Sequence, residues 1–269
     1  MKKNVVFSFL MLLTVGLLVS NMGQKESKKL AGTDKYKVIR VDGRIVFQRT
    51  DADMKKGDIF LSGTALSFLT PQSRAAVISG IKGRFVLSAS EKGQTKILPA
   101  ANNISSRSGA LINLIDLQNH FAGDYLVLDA IELEIGETNF PMDDKNFFYL
   151  SFNYEGEKIR KKLDYNDDNL LLIKKEEIYK IDGESIPVET MEMTLYYRSG
   201  DSSTKINQFK PVFPDLDELK DEIQIIREEF SDKSSAEQIQ EITAYLGEFY
   251  GKPQKENLGL WLKQEFGLE

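Results

Sequence analysis

Cysteine is absent from the 269 residues, and histidine and tryptophan occur once each. Without cysteine the chain can be neither a disulfide-stapled secreted module nor a lipoprotein acylated on that residue, so its stability has to come from packed cores. A lone histidine with no cysteine supplies no metal-binding or nucleophile-activating set, and a structural hydrogen-bonding role is the reading for His120. Also missing are the Gly-x-Ser-x-Gly elbow, the His-Glu-x-x-His zinc motif, a phosphate-binding glycine loop and a dinucleotide fingerprint. Apolar runs long enough to span a bilayer, about 20 residues, are lacking too. The nearest is residues 5–19, behind Lys2 and Lys3.

That positive start followed by a short apolar stretch is a secretory signal pattern. Residues 1–23 are therefore expected to be a signal peptide or an N-terminal anchor. Ser20 and Gly23 are the available cleavage positions, but neither has an ideal small partner two residues upstream, so an uncleaved inner-membrane anchor at 5–19 stays open. Residues 24–35, polar and lysine-rich, read as a tether. The compartment expected is the periplasm or cell envelope.

Apolar residues make up 41% of the chain, enough for two or three cores. Charge is unevenly divided. Residues 25–107 hold 16 Lys and Arg against 7 Asp and Glu, whereas residues 111–269 hold 17 against 34. The two parts are expected to be complementary and to face each other or a shared partner. Nucleic-acid binding is not expected, because the charges of the first part are scattered between strands and the segment before them points out of the cytoplasm. Contact of the basic part with a membrane or an envelope polymer is the remaining option.

Short runs rich in β-branched and aromatic residues fill 36–41, 44–48, 59–61, 65–69, 74–79 and 84–88, with turn chemistry between them. Asp42-Gly43 has the residue pair of a tight hairpin, Lys55-Lys56-Gly57-Asp58 and Ser62-Gly63 supply positions tolerant of positive φ, and Gly80 and Gly83 bracket another connection. In 84–88, Phe85 and Leu87 alternate with Arg84, Val86 and Ser88, as a half-buried strand requires. The expected unit at 36–92 is a small barrel or sandwich. Val41-Asp42-Gly43, Met54-Lys55-Lys56-Gly57-Asp58-Ile59, Ser62-Gly63-Thr64, Arg74-Ala75-Ala76-Val77 and Gly83-Arg84-Phe85-Val86-Leu87 together resemble the FecR-like β domain of bacterial envelope proteins. The resemblance covers about a fifth of the chain and implies a fold and a compartment. It does not imply transcriptional control, since only Met1-Lys2-Lys3-Asn4 precedes the apolar run.

Residues 93–123 read as a connector with a short helix, in which Leu111, Ile112, Leu114, Ile115, Leu117 and Phe121 form a plug between β units. A larger antiparallel β domain is expected at 124–213, with strands at 125–135, 147–154, 158–163, 170–174, 178–181, 191–197 and 204–213. Two acidic spots there are read as solvated turns. Asp164, Asn166 and Asp168 begin like an EF-hand loop, but Asn169 and Lys175 stand where glycine and a bidentate glutamate are needed. Asp143-Asp144 point apart, with no identifiable partner carboxylate.

From Pro214 the period changes to 3.6. Asp215 and Ser234, with Glu218 and Glu237, cap two helices, one bearing Leu216, Leu219, Ile223, Ile226 and Phe230, the other Ile239, Ile242, Leu246 and Phe249. Gly251 and Pro253 end the second. A last helix carries Leu258, Trp261, Leu262 and Phe266. Residues 214–269 are expected to be an α-helical region whose helices pack mainly on each other and offer an acidic outer face.

The fold class is thus mainly β, a small barrel or sandwich plus a larger antiparallel unit, with a C-terminal helical hairpin. The function indicated is a non-enzymatic exported structural or adaptor protein of a bacterial envelope assembly, acting through protein contacts. The alternative is a hydrolase of envelope polysaccharide or peptide. No catalytic, cofactor-binding or metal-binding residue is assigned.

Overall fold

In the computed structural model, residues 34–90, 95–99 and 109–269 are described. The chain is mainly β, with 42% strand and 23% helix. Eight strands come first: β1 (Lys35–Asp42), β2 (Ile45–Phe47), β3 (Ala52–Asp53), β4 (Ile59–Leu61), β5 (Leu66–Phe68), β6 (Arg74–Ser79), β7 (Gly83–Ala89) and β8 (Thr95–Pro99). They form a five-stranded sheet in the order β4-β1-β6-β7-β8 and a three-stranded sheet β3-β2-β5. Val38, Ile45, Leu66, Val77 and Leu87 make the core between them. Gly57, at φ +86, ends the turn before β4, and its N–H donates to the Val38 carbonyl.

Two expectations fail here for identifiable reasons. Asp42-Gly43 does not join a hairpin, because β1 pairs with β4 and β6 while β2 pairs with β3 and β5. The chain turns a corner between sheets, and Ser73 Oγ accepts the Arg44 N–H there. Residues 95–99, assigned to a connector, are an edge strand on β7. Pro99 is tolerated because an edge leaves its nitrogen without a ladder partner to serve. Asn102, Asn103, Ser105 and Ser106 lie outside the described residues.

Next come α1 (Leu114–His120), β9 (Gly123–Leu126), β10 (Ala130–Glu134), β11 (Asn146–Tyr154), β12 (Glu157–Lys162), β13 (Asp164–Tyr165), β14 (Leu170–Lys174), α2 (Lys175–Ile178), β15 (Lys180–Ile181), β16 (Glu184–Ser185), β17 (Met193–Ser199) and β18 (Ser202–Val212). A six-stranded sheet runs β12-β11-β17-β18-β9-β19, the last being β19 (Lys252–Pro253). Its first four strands are antiparallel, whereas β9 lies parallel to both β18 and β19. Against it packs a three-stranded sheet β10-β14-β13, with Phe148, Leu150, Leu195, Ile131 and Ile173 in the shared core. The single strand expected at 125–135 is two strands in two sheets, broken at Asp129, whose φ is +62. Residues 178–181 begin as the last residue of a helical turn instead of a strand.

The plug is only half apolar in effect. Leu111, Leu117 and Phe121 are buried, while Ile112, Leu114 and Ile115 are exposed. A seven-residue helix has one buried stripe, here Leu117, and Leu114 and Ile115 fall off it, while Ile112 precedes the helix.

The C-terminal helices are α3 (Leu216–Glu229), α4 (Ser235–Phe249) and α5 (Lys255–Phe266). Asp215 caps α3 by accepting the N–H groups of Asp217 and Glu218, and Ser234 with Glu237 forms a reciprocal capping box on α4. They do not pack mainly on one another. Leu219, Ile223, Ile226, Ile242, Leu246 and Leu262 share a core with Ile39, Ala76, Ile78 and Val86, the outer face of the five-stranded sheet. That face is apolar at every second residue of β6, so water would otherwise cover it. For the same reason β7 is buried on both sides. Leu126 and Leu128 join this helical core while Tyr125 and Val127 join the other, so one segment serves two cores. Residues Lys35–Glu269 form one compact unit.

Candidate functional site

The basic charge of the first strands is largely taken up inside the molecule. Lys37 pairs with Glu228 at 2.8 Å, Lys56 with Asp221 at 3.0 Å, and Arg40 with Glu222 at 3.3 Å. Arg84, fully buried, pairs with Glu241 at 2.6 Å and with Glu248. Glu222 is 3% exposed and also accepts hydrogen bonds from Tyr245 and Tyr250 at 2.7 and 2.5 Å. Burial, and then the carboxylate beside them, hold both phenols protonated well above their ordinary range. This network fixes the helices to the sheet. Removing one partner of such a buried pair is costly, because the other charge is left uncompensated.

The positions singled out in sequence are structural in geometry. Asp143 accepts from the N–H groups of Lys145 and Asn146 and from the Asn146 amide, which holds its carboxyl below the usual range. Asn166 closes the β13–β14 turn by accepting from the Asp168 and Leu170 N–H groups. Among the described residues no group of three or more His, Cys, Asp or Glu converges to hold a metal ion. His120 Nε2 lies 2.6 Å from the Tyr125 hydroxyl. Burial, helped by nearby Lys252, lowers its pKa to about 4, so the imidazole is neutral.

Two concavities among the described residues are large enough to hold a small molecule. One of about 560 Å³ is lined by His120, Glu132, Glu134, Gln254, Glu256 and Asn257 over leucine side chains. The other, about 290 Å³, lies between the first two sheets beside β8, where Tyr36, Phe60 and Phe85 surround an apolar floor.

The feature without a structural explanation is the outer face of the six-stranded sheet. The inward side chains of β11 are Phe148, Leu150 and Phe152, so Phe147, Tyr149, Ser151 and Asn153 point outward. Register then fixes their neighbours. Lys162, Tyr149, Tyr196 and Lys205 stand in one row across four strands, Arg160, Ser151, Thr194 and Gln208 in the next, with Asn153 beside Lys158 and Phe147 beside Arg198 at the two ends. The tyrosine rings stack at 5.0 Å and 8°. Lys162 Nζ sits 4.7 Å from the Phe147 ring centre, and the Arg198 guanidinium 5.8 Å from the same ring. Such cation–π contacts hold long side chains in place without neutralising them.

None of Lys158, Arg160, Lys162, Arg198 and Lys205 makes an ion pair among the described residues. Acidic side chains border the face without pairing with these cations: Asp164 and Glu177 share a small concavity with Lys162, Glu192 accepts from Gln208, and Asp124 stands opposite Lys210. Five unpaired cations around an aromatic strip, in a half of the chain with twice as many acids as bases, form the candidate site. In sequence, Phe147 and Tyr149 fall in the strand expected at 147–154, and neither is singled out. The missed signal was Lys158, Arg160 and Lys162 at every second position beside them. No family model and no curated protein sequence matches this chain.

Proposed function

We propose that this protein is an exported, non-enzymatic adaptor of a bacterial cell envelope, and that the outer face of the six-stranded sheet is its contact surface. The observation that supports the reading is the set of five cations without ion pairs on this face, two of which, Lys162 and Arg198, lie against Phe147 beside the stacked Tyr149 and Tyr196. A sheet face with no binding task is ordinarily covered with charges of both signs, and a one-signed field attracts an oppositely charged partner. Residues 1–23 supply export, and the unit at 36–92 belongs to this reading as a FecR-like module. Among the described residues no helix is long and apolar enough to cross a membrane, and in this reading residues 5–19 are the anchor if export leaves them uncleaved.

The test has two parts. Residues 1–23 fused to a reporter active only outside the cytoplasm should give signal. Crosslinking in the native envelope should capture a neighbour with the natural chain and lose it with Lys162→Glu/Arg198→Glu. A silent reporter, or capture indifferent to the charge reversal, refutes the reading.

A further inference from the structure

Resting on that reading, we infer that the outer sheet face binds a linear acidic polysaccharide. The face combines three chemistries. Cations stand on both flanks, Lys158, Arg160 and Lys162 on β12 and Arg198 and Lys205 on β17 and β18. Aromatic rings lie between them. Asn153, Thr194 and Gln208, all neutral hydrogen-bonding side chains, complete the same surface, with Ser151 buried beneath it. Carboxylates, sulfates or phosphates on a sugar chain meet the first set, the apolar faces of sugar rings meet the second, and ring hydroxyls meet the third.

The dimensions suit a chain lying across the strands. Neighbouring strands are roughly 4.8 Å apart, so the row from Lys162 through Tyr149 and Tyr196 to Lys205 spans roughly 14 Å, with cations at both ends. Along β12, alternate basic residues are roughly 7 Å apart. An extended polyanion therefore meets charge at each edge of the aromatic strip.

A single-stranded nucleic acid shares the charge but fits the rings less well. Bases need open aromatic faces on which to stack. Tyr149 and Tyr196 already cover one face of each other, and Phe147 has Lys162 and Arg198 near its ring.

The experiment titrates the full chain with polygalacturonate, with its neutral methyl ester, with amylose and with oligothymidylate, at low and at physiological salt. Polygalacturonate should bind at low salt and weaken as salt screens the charges, while the two neutral polymers bind at least tenfold more weakly. Lys162→Glu/Lys205→Glu should lower polygalacturonate affinity at least tenfold, and Lys162→Gln/Lys205→Gln by a smaller factor, both melting as the natural chain does. Tight oligothymidylate binding with weak polygalacturonate binding overturns the proposal in favour of nucleic acid. Affinity unchanged by both substitution pairs overturns it by placing the site elsewhere. If polygalacturonate fails while the charge reversal still abolishes envelope crosslinking, the polysaccharide is refuted and the contact surface stands.

Discussion

His120 is the only histidine, which makes its proton a clean probe of the packing around α1. In the folded chain its pKa is lowered to about 4 from 6.5, first by burial and then by Lys252. The folded state resists protonation that the unfolded state accepts, so this group's contribution is fully present above pH 6.5. It is lost as pH falls from there through about 4. The whole loss is at most roughly 3 kcal/mol, and by pH 5 it is about 2 kcal/mol. For a domain of this size that corresponds to a melting temperature lower by about 4–8 °C. Carboxylates titrate in the same range, so the measurement is a difference: denaturant unfolding of the natural chain and of His120→Gln, each between pH 7.5 and 4.5. The glutamine keeps a polar partner for the Tyr125 hydroxyl, which lies 2.6 Å from the imidazole. The natural chain should lose about 2 kcal/mol more than the variant on going to pH 5. Parallel curves, or an imidazole proton resonance titrating near 6.5 in the folded protein, would refute the assignment.

Other substitutions separate strain from packing. Gly57 has φ +86 and open space where a side chain would go, so Gly57→Val should cost about 1–3 kcal/mol from backbone strain alone; unchanged denaturant midpoints would show that the turn is wrong. Gly251, at φ +112, faces the Asp124 carbonyl carbon and oxygen, both 2.5 Å from an added Cβ. Gly251→Ala should therefore cost more than Gly57→Ala and release amide protection at Lys252 and Pro253's neighbours on β9, which hydrogen exchange would detect. Arg84→Met leaves Glu241 and Glu248 without their cation and should destabilise by about 3 kcal/mol. Adding Glu241→Gln and Glu248→Gln should restore most of that, and a triple variant no more stable than the single one would contradict the ion-pair account.

Local chemistry was legible in the sequence wherever one residue decides the outcome. The alternation at 147–154 gave β11, and Ser234 with Glu237 gave the start of α4, because a strand's faces and a helix's first turn depend on nearby side chains. What failed to show was the partner of each face. Leu219, Ile223 and Ile226 announced a buried stripe, but a stripe does not say whether a sister helix or a sheet covers it. Val86 and Arg84 looked like the wet side of a half-buried strand, and only the helices arriving from the far end of the chain make them dry. Residues 125–135 read as one strand because apolar residues run on through the break, and a single positive φ at Asp129 divides it. The candidate face was legible in pieces, since Lys158, Arg160 and Lys162 keep period two, but register sets them beside Tyr149 and Tyr196, and register depends on pairing across the chain.

The five-stranded sheet closes late. Ile39, Ala76 and Ile78 come from the first third of the chain, and the residues that cover them lie at 219–262. In a chain made or delivered N-terminus first, the early strands can pair, yet one side of their sheet stays wet and adhesive until the last helices emerge. Contacts this far apart in sequence slow folding and lengthen the time that face spends in water. The fold's last step is therefore held back until the final helix is available, whatever the earlier strands have done.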